Sequence, residues 1–242
     1  MFKNLKRWHS TLGLYVFFIG ILLGMLFTMM ITWADFEASL FDASTDSSAL
    51  KLESLKCPVL LNGDETGTVK ASFANPADWA LRRTIDTHIS HGFVIMMREE
   101  RTRIDLQPGE KRTLQWTISP EDAAWGRFIL VRLHVQRAGA LPPRSGSCGV
   151  LVVDLPFGNG AQITAIIIGM SVLLMAIGAI LWIRGTEAQN KDLRSVDYIA
   201  LTLAPVVVIA LVTNMLGVWF ISAILLILAV LAIVTIITLV LS

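Results

Sequence analysis

The sequence predicts a mixed fold: a four-transmembrane-helix membrane protein with an all-β sandwich inserted between helices 1 and 2. Three observations carry this. Hydrophobic residues make up 54% of the 242-residue chain and charged residues only 16%, too apolar for an ordinary soluble domain. Three long stretches contain no charged residue and are long enough to cross lipid. Between the first and second of them the pattern changes to short runs rich in β-branched and aromatic residues, separated by Gly, Pro, Asn and Asp.

The helices follow from length. A helix rising about 1.5 Å per residue needs roughly 20 apolar residues to cross a hydrocarbon core about 30 Å thick. Residues 11–33 ("TLGLYVFFIGILLGMLFTMMITW") and 161–183 ("AQITAIIIGMSVLLMAIGAILWI") each supply one span, behind a short N-terminal flank, residues 1–10. The run from Tyr198 to Ser242 is about twice too long for one crossing. "TNMLG" at 213–217 provides turn residues at its middle, so 197–241 reads as a helical hairpin with Asn214 in the outer turn. Pro205 falls inside the third helix, where neighbours can satisfy the carbonyl it frees.

Basic residues set the orientation. Lys3, Lys6 and Arg7 precede the first helix, and Arg184, Lys191 and Arg194 lie in the short loop 184–196. The positive-inside rule makes both cytoplasmic, together with the C-terminus, and places residues 34–159 outside a bacterial cytoplasmic (inner) membrane. Trp8, Trp33, Trp182 and Trp219 stand near helix ends, where their rings favour the interface. The first apolar run exceeds the usual core of a cleaved signal, so it reads as a retained anchor. Lipid is therefore one partner of the chain.

Residues 34–56, acidic and Ser-rich, read as a membrane-proximal linker with room for a short helix. From 57 to 156 the runs "CPVLL", "TVKASF", "RTIDTHIS", "FVIMMR", "TRIDL", "RTLQWTI", "RFILVRLHV" and "GVLVVDL" give seven or eight strands of a two-sheet sandwich. Cys57 and Cys148 are the only cysteines, both on the outer side, and oxidising surroundings there favour a disulfide tying the first strand to the last. They lack the Cys-x-x-Cys spacing of a redox or metal site.

Within this segment "VKASFANPADW", "IDLQPGEKRTLQWTI" and "GRFILVRLHV" resemble the Ig-like sandwiches of bacterial surface proteins, such as CARDB-type cell-adhesion-related domains, over residues 57–155. The resemblance implies an extracytoplasmic binding or spacer module and brings no catalytic residue with it. A cysteine at each end of the domain departs from the pattern.

Candidate chemistry is sparse. His88 and His91, three apart on a strand, point to opposite faces unless Gly92 turns one of them, so they do not form a metal pair. His134 alternates with Leu133 and Val135 and is expected to face solvent. His9 has no second histidine in helices two to four with which to ligate haem, and reads as an interfacial group. No nucleophile elbow, zinc-protease or phosphate-loop motif is present, and Arg98, Glu99, Glu100, Arg101, Arg103 and Asp105 read as charges along a solvated strand and turn. Catalytic, cofactor-binding and metal residues are thus expected to be none. With a net charge of +1 and no basic patch, nucleic acid is excluded as a partner.

What the helices do carry is small residues. Gly13, Gly20, Gly24 and Thr28 share one face of helix one, and Ala165 and Gly169 repeat the four-residue spacing in helix two. Such faces pack either on each other or on a partner's helix. The helices contain no internal Asp, Glu, Lys or Arg, which argues against a pump or transporter. In the outer domain Trp79, Trp125 and Arg144, the last in the loop "ALPPRSGS", are candidate recognition residues, whereas Trp116 on an alternating strand is expected to be buried. The function expected from all this is that of a non-enzymatic accessory or scaffold subunit bound to other integral membrane subunits. The alternatives are the membrane component of an ABC-type export or mechanotransmission system, and a surface receptor or adhesin; no small-molecule ligand is named by the sequence.

Overall fold

The computed structural model describes residues 2–42, 49–139, 141–187 and 195–241. They divide into two compact units, Met1–Thr32 with Thr164–Ser242, and Trp33–Ile163. Four helices, α1 (Phe2–Leu40), α2 (Gly160–Glu187), α3 (Ser195–Met215) and α4 (Trp219–Leu241), are each long and apolar enough to cross a membrane by length and composition.

In the helical unit α1 meets α2 through missing side chains. A Cβ at Gly13 would strike the α2 backbone at Trp182 and Gly178, one at Gly20 would strike Met175 and Ser171, and one at Gly24 would meet Ser171 and Val207 of α3. The reciprocal positions on α2 are Ser171, Gly178 and Gly185, facing Gly20, Phe17 and Ser10 respectively. Ala165 and Gly169 do not take part in this contact: Ala165 is exposed, and nothing lies within 4 Å of a Cβ built on Gly169, so of the two expected packing partners helix one is not theirs. The seven-residue recurrence of 171, 178 and 185 follows the contact stripe of an α2 running against α1, whereas the four-residue step 165–169 lies off it. Thr28 is buried and returns its hydroxyl to the Gly24 carbonyl at 2.7 Å.

Asn214 is also corrected. It belongs to the last turn of α3, with its side chain buried, donating to the Thr28 carbonyl at 3.2 Å and to Thr32 Oγ1 at 2.8 Å. The chain reverses after it at Gly217 (φ +71°). Thr213 and Ser222 then join α3 to α4 through their hydroxyls at 2.8 Å.

The second unit holds β1 (Leu50–Lys51), β2 (Leu60–Asn62), β3 (Gly67–Ala74), β4 (Leu81–His91), β5 (Phe93–Leu106), β6 (Lys111–Ile118), β7 (Phe128–Val135) and β8 (Arg144–Val153). One sheet has the order β1-β8-β7-β4-β5, with β2 also paired to β8; β3 and β6 make the other. Alternation along the strands sends Val69, Ala71 and Phe73 of β3 and Trp116 and Ile118 of β6 into one core. Ile85 and Ile89 of β4, Ile129, Val131, Leu133 and Val135 of β7, and Val150 of β8 meet them there. "FVIMMR" and "TRIDL" were expected as two strands and are one, β5. The intervening charged residues include no turn former, and on an exposed strand they need no desolvation, so extension continues through them.

Cys57 and Cys148 are bonded, with their Cα atoms 6.5 Å apart. Cys148 is in β8 of the large sheet, while Lys56, beside Cys57, exchanges backbone hydrogen bonds with Lys70 of β3 at 2.8 and 2.9 Å. The bridge therefore joins the two sheets.

The expected linker at 34–56 is corrected over its first part, because α1 continues through Asp35 and Glu37 to Leu40. Ala34, Ala38 and Phe41 are buried, at a spacing of four and three, so this short segment is an amphipathic turn of helix with one face covered. At Gly149 of β8 a Cβ would overlap the Ala34 main chain, and the Gly149 N–H donates to Asp35 Oδ1 at 2.9 Å. Arg132 of β7 donates to the Ser39 and Phe41 carbonyls at 3.0 and 2.9 Å, a cation placed on the negative end of the helix. At the start of α2, Asn62 donates to the carbonyls of Leu155, Phe157 and Gly158, and Glu65 accepts from the Gly160 N–H at 2.6 Å.

Two outcomes test this arrangement. Cys148→Ser should lower unfolding stability of the Trp33–Ile163 unit by about 2–5 kcal/mol, the range for a native bridge in a small domain. Gly149→Ala should cost about 2 kcal/mol or more by overpacking a backbone contact that cannot relax by a rotamer change. Thermal unfolding of the full chain in detergent measures both; a neutral Gly149→Ala would refute the close approach.

Candidate ligand-binding site

Several charges of the sandwich are paired. Arg82 pairs with Asp105 at 2.7 Å, Arg112 with Glu110 at 2.8 Å and Arg98 with Asp122 at 3.3 Å. Asp86 accepts from Arg101 at 2.6 Å and from Gln136 at 2.7 Å. Burial raises the Asp86 carboxyl, but the bonds from Arg101 and Gln136 and the charges of Arg101 and His134 outweigh it, so its pKa lies below the usual carboxylate value. The arginine of each pair is exposed, while Asp86 and Asp122 are themselves buried.

Arg83 is different. Period two along β4 puts it on the inward face with Leu81 and Ile85, and it is only 7% exposed. Its Nε is buried without a hydrogen-bond partner. Burial, and then the neighbouring charge of Arg144, hold its pKa below the usual guanidinium value.

Arg83 borders a cavity of about 390 Å³ at one end of the sandwich. The strand ends define it: Phe73 near the end of β3, Lys111 at the start of β6, Val135 at the end of β7 and Arg144 at the start of β8. Leu141 and Pro142 of the loop before β8 and the segment Leu52, Glu53 and Ser54 close the rim. Ser54 Oγ is a second buried polar atom without a partner. The lining thus combines three cations and one carboxylate with apolar walls.

The three expected recognition residues do not converge. Trp79 is 62% exposed in the loop leading to β4, at the same end as Arg144, and its carbonyl accepts from Asn75 Nδ2. Trp125 is 57% exposed and bonds through its N–H to the Gly92 carbonyl at the far end of β4. Trp116 is buried. Sequence reasoning reached Arg144 and its loop but missed Arg83; the signal was present, since the alternation of β4 places an arginine in an apolar register.

The histidines go to separate carboxylates. His88 Nδ1 bonds to Asp42, and His91, at the hairpin tip beside a bulge, lies 3.9 Å from Asp122. His134 is corrected from solvent-facing to half-buried, with Nδ1 covered and without a hydrogen-bond partner. Among the described residues no group of three or more His, Cys, Asp or Glu side chains could hold a metal. The side chain of His9, together with Lys191 and Arg194, lies outside the described residues.

No family model matches the chain, and no curated protein matches it. Among solved structures it is similar to the CARDB domain of a Pyrococcus furiosus protein solved with di-metal ions, at 12% identity and a TM-score of 0.33, covering 42% of this chain and 90% of that one. A β-glucosidase from Listeria innocua with gluconolactone matches at 18% identity and a TM-score of 0.30, over 40% of this chain and 15% of the enzyme. A β-glucosidase from Erythrobacter marinus matches at 16% identity and a TM-score of 0.30, over 41% of this chain and 15% of that one. The chain thus spans only a small part of either glucosidase, and the functional reading rests on its own geometry.

A pH dependence follows from Asp86. A carboxyl whose folded pKa is depressed contributes stability that is fully present above its unfolded value, about 4, and is lost as pH falls through the folded value. Thermal unfolding between about pH 6 and 2 should therefore show an acid-side loss that is smaller in Arg101→Gln. An unchanged acid limb in the variant would contradict this account of Asp86.

Proposed function

We propose that the chain is a non-enzymatic accessory or scaffold subunit of a larger assembly in a bacterial cytoplasmic membrane, holding its sandwich on the extracytoplasmic side. Both termini are cytoplasmic in this reading, and α1 to α4 cross the membrane. One observation carries it: the end of α1 and the start of α2 are bonded into the sandwich by Asp35, Arg132, Asn62 and Glu65. The segments by which the chain enters and leaves the Trp33–Ile163 unit are thus anchored inside that unit and not joined to it through soluble linker.

Further support comes from charge and redox chemistry. The basic flanks at Lys3, Lys6 and Arg7 favour a cytoplasmic N-terminus, and the Cys57–Cys148 bridge suits an oxidising compartment. Apolar side chains such as Ile224, Leu228 and Leu231 of α4 are exposed in the chain by itself, a surface for lipid or for the helices of other subunits.

Two measurements test the reading. Gentle detergent extraction followed by native-mass analysis should yield this chain with a co-purifying membrane protein; a clean monomer counts against it. In intact cells, Cys148→Ser should expose Cys57 to an impermeant thiol reagent that leaves the wild type unlabelled, and protection of the variant would overturn the orientation.

A further inference from the structure

We propose that the sandwich is also a receptor for a small oxyanion-bearing ligand, whose carboxylate or phosphate group pairs with Arg83 in the cavity at the Arg144 end. This goes beyond the scaffold reading and does not depend on it, since the whole cavity lies within Trp33–Ile163.

An arginine stays charged in proteins, so burial cannot be relieved by giving up the proton. A buried charge without a partner is among the costliest features a fold can carry. Arg83 is nonetheless placed on the core face of β4, nine-tenths buried, with Nε bonded to nothing among the described residues. Its nearest charged influence is another cation, Arg144, and Lys111 borders the same space. Glu53 is the single carboxylate of the lining, and it sits exposed at the rim with no ion pair to any of the three. Around this cavity charge is therefore unmatched in one sign, whereas Arg82, Arg98, Arg101 and Arg112 elsewhere on the sandwich each pair with a carboxylate.

The ligand class follows from the donors. A guanidinium presents N–H groups in a planar fork that fits two oxygens of a carboxylate or phosphate. Ser54 Oγ, buried and also unpartnered, offers a hydroxyl to the same space. Phe73, Val135 and Pro142 wall the remainder with carbon, which suits a ligand with an apolar body behind its charged group. The volume falls within the roughly 300–1,000 Å³ of small-molecule sites.

The test uses the full chain in neutral detergent, melted in inorganic phosphate or in acetate at ionic strength held constant with chloride. Binding should raise the wild-type Tm by roughly 3–6 °C at about ten times the Kd. A response to phosphate alone assigns a phosphate ligand, to acetate alone a carboxylate, and to both an oxyanion at large. Arg83→Met, which removes the unmatched charge and keeps most of the length, should melt in chloride at or above the wild-type temperature and respond to neither anion. Arg144→Gln, at the open edge, should fold normally and bind about tenfold more weakly, as expected for loss of one charge-assisted contact. An unresponsive wild type overturns the proposal, and so does an undiminished response in Arg83→Met or, should that variant not fold, in Arg144→Gln.

Discussion

At Gly149 the main chain of a strand lies directly against the main chain of a helix, with no side chain between them. Ala34 occupies the space a Cβ would need, and Asp35 takes up the Gly149 N–H. That bond removes a donor that burial would otherwise leave costly. With this point fixed, the next turn of α1 covers the sheet through Ala38 and Phe41, and the carbonyls at its end fall within reach of Arg132. Asp42, one residue beyond, adopts φ +51° and meets His88. Each of these contacts presupposes the one before it.

Charge is sorted by depth in the sandwich. Arg82, Arg98 and Arg101 are all substantially exposed and all paired, the last two with the buried carboxylates of Asp122 and Asp86. Arg83, where pairing would be worth most, has no partner. A fold selected for stability alone would invert this order, and tertiary cost retained in one place is the usual mark of a site that serves something else.

The four long apolar helices and the two-sheet unit were legible because their signals are long or repeated: unbroken apolar runs, alternation, and turn residues between strands. Cys57 and Cys148 were legible as a pair because no other cysteine competes. What was hidden depended on neighbours distant in sequence. Residues 34–41 look like an acidic linker until Gly149 supplies a surface for Ala34 and Ala38, and Asn214 looks like a turn residue until Thr28 and Thr32 supply acceptors. Gly169 has the right identity for close packing and the wrong angular position. In the cavity the sequence offered the loop before β8, but Arg83 acquires meaning only once β4 is known to turn that residue inward.

The long strand β5 has a consequence for life at a crowded surface. It forms one margin of the six-stranded sheet, and its middle reads Arg98, Glu99, Glu100, Arg101, with both signs side by side and all four exposed. A bare strand margin invites another chain to continue the hydrogen-bond ladder, and charged side chains along it make such joining unfavourable. On the proposed membrane placement, copies in one bilayer would meet in two dimensions at high local density, with their margins repeatedly presented to each other. A margin armoured in this way lets neighbours jostle without fusing into a shared sheet.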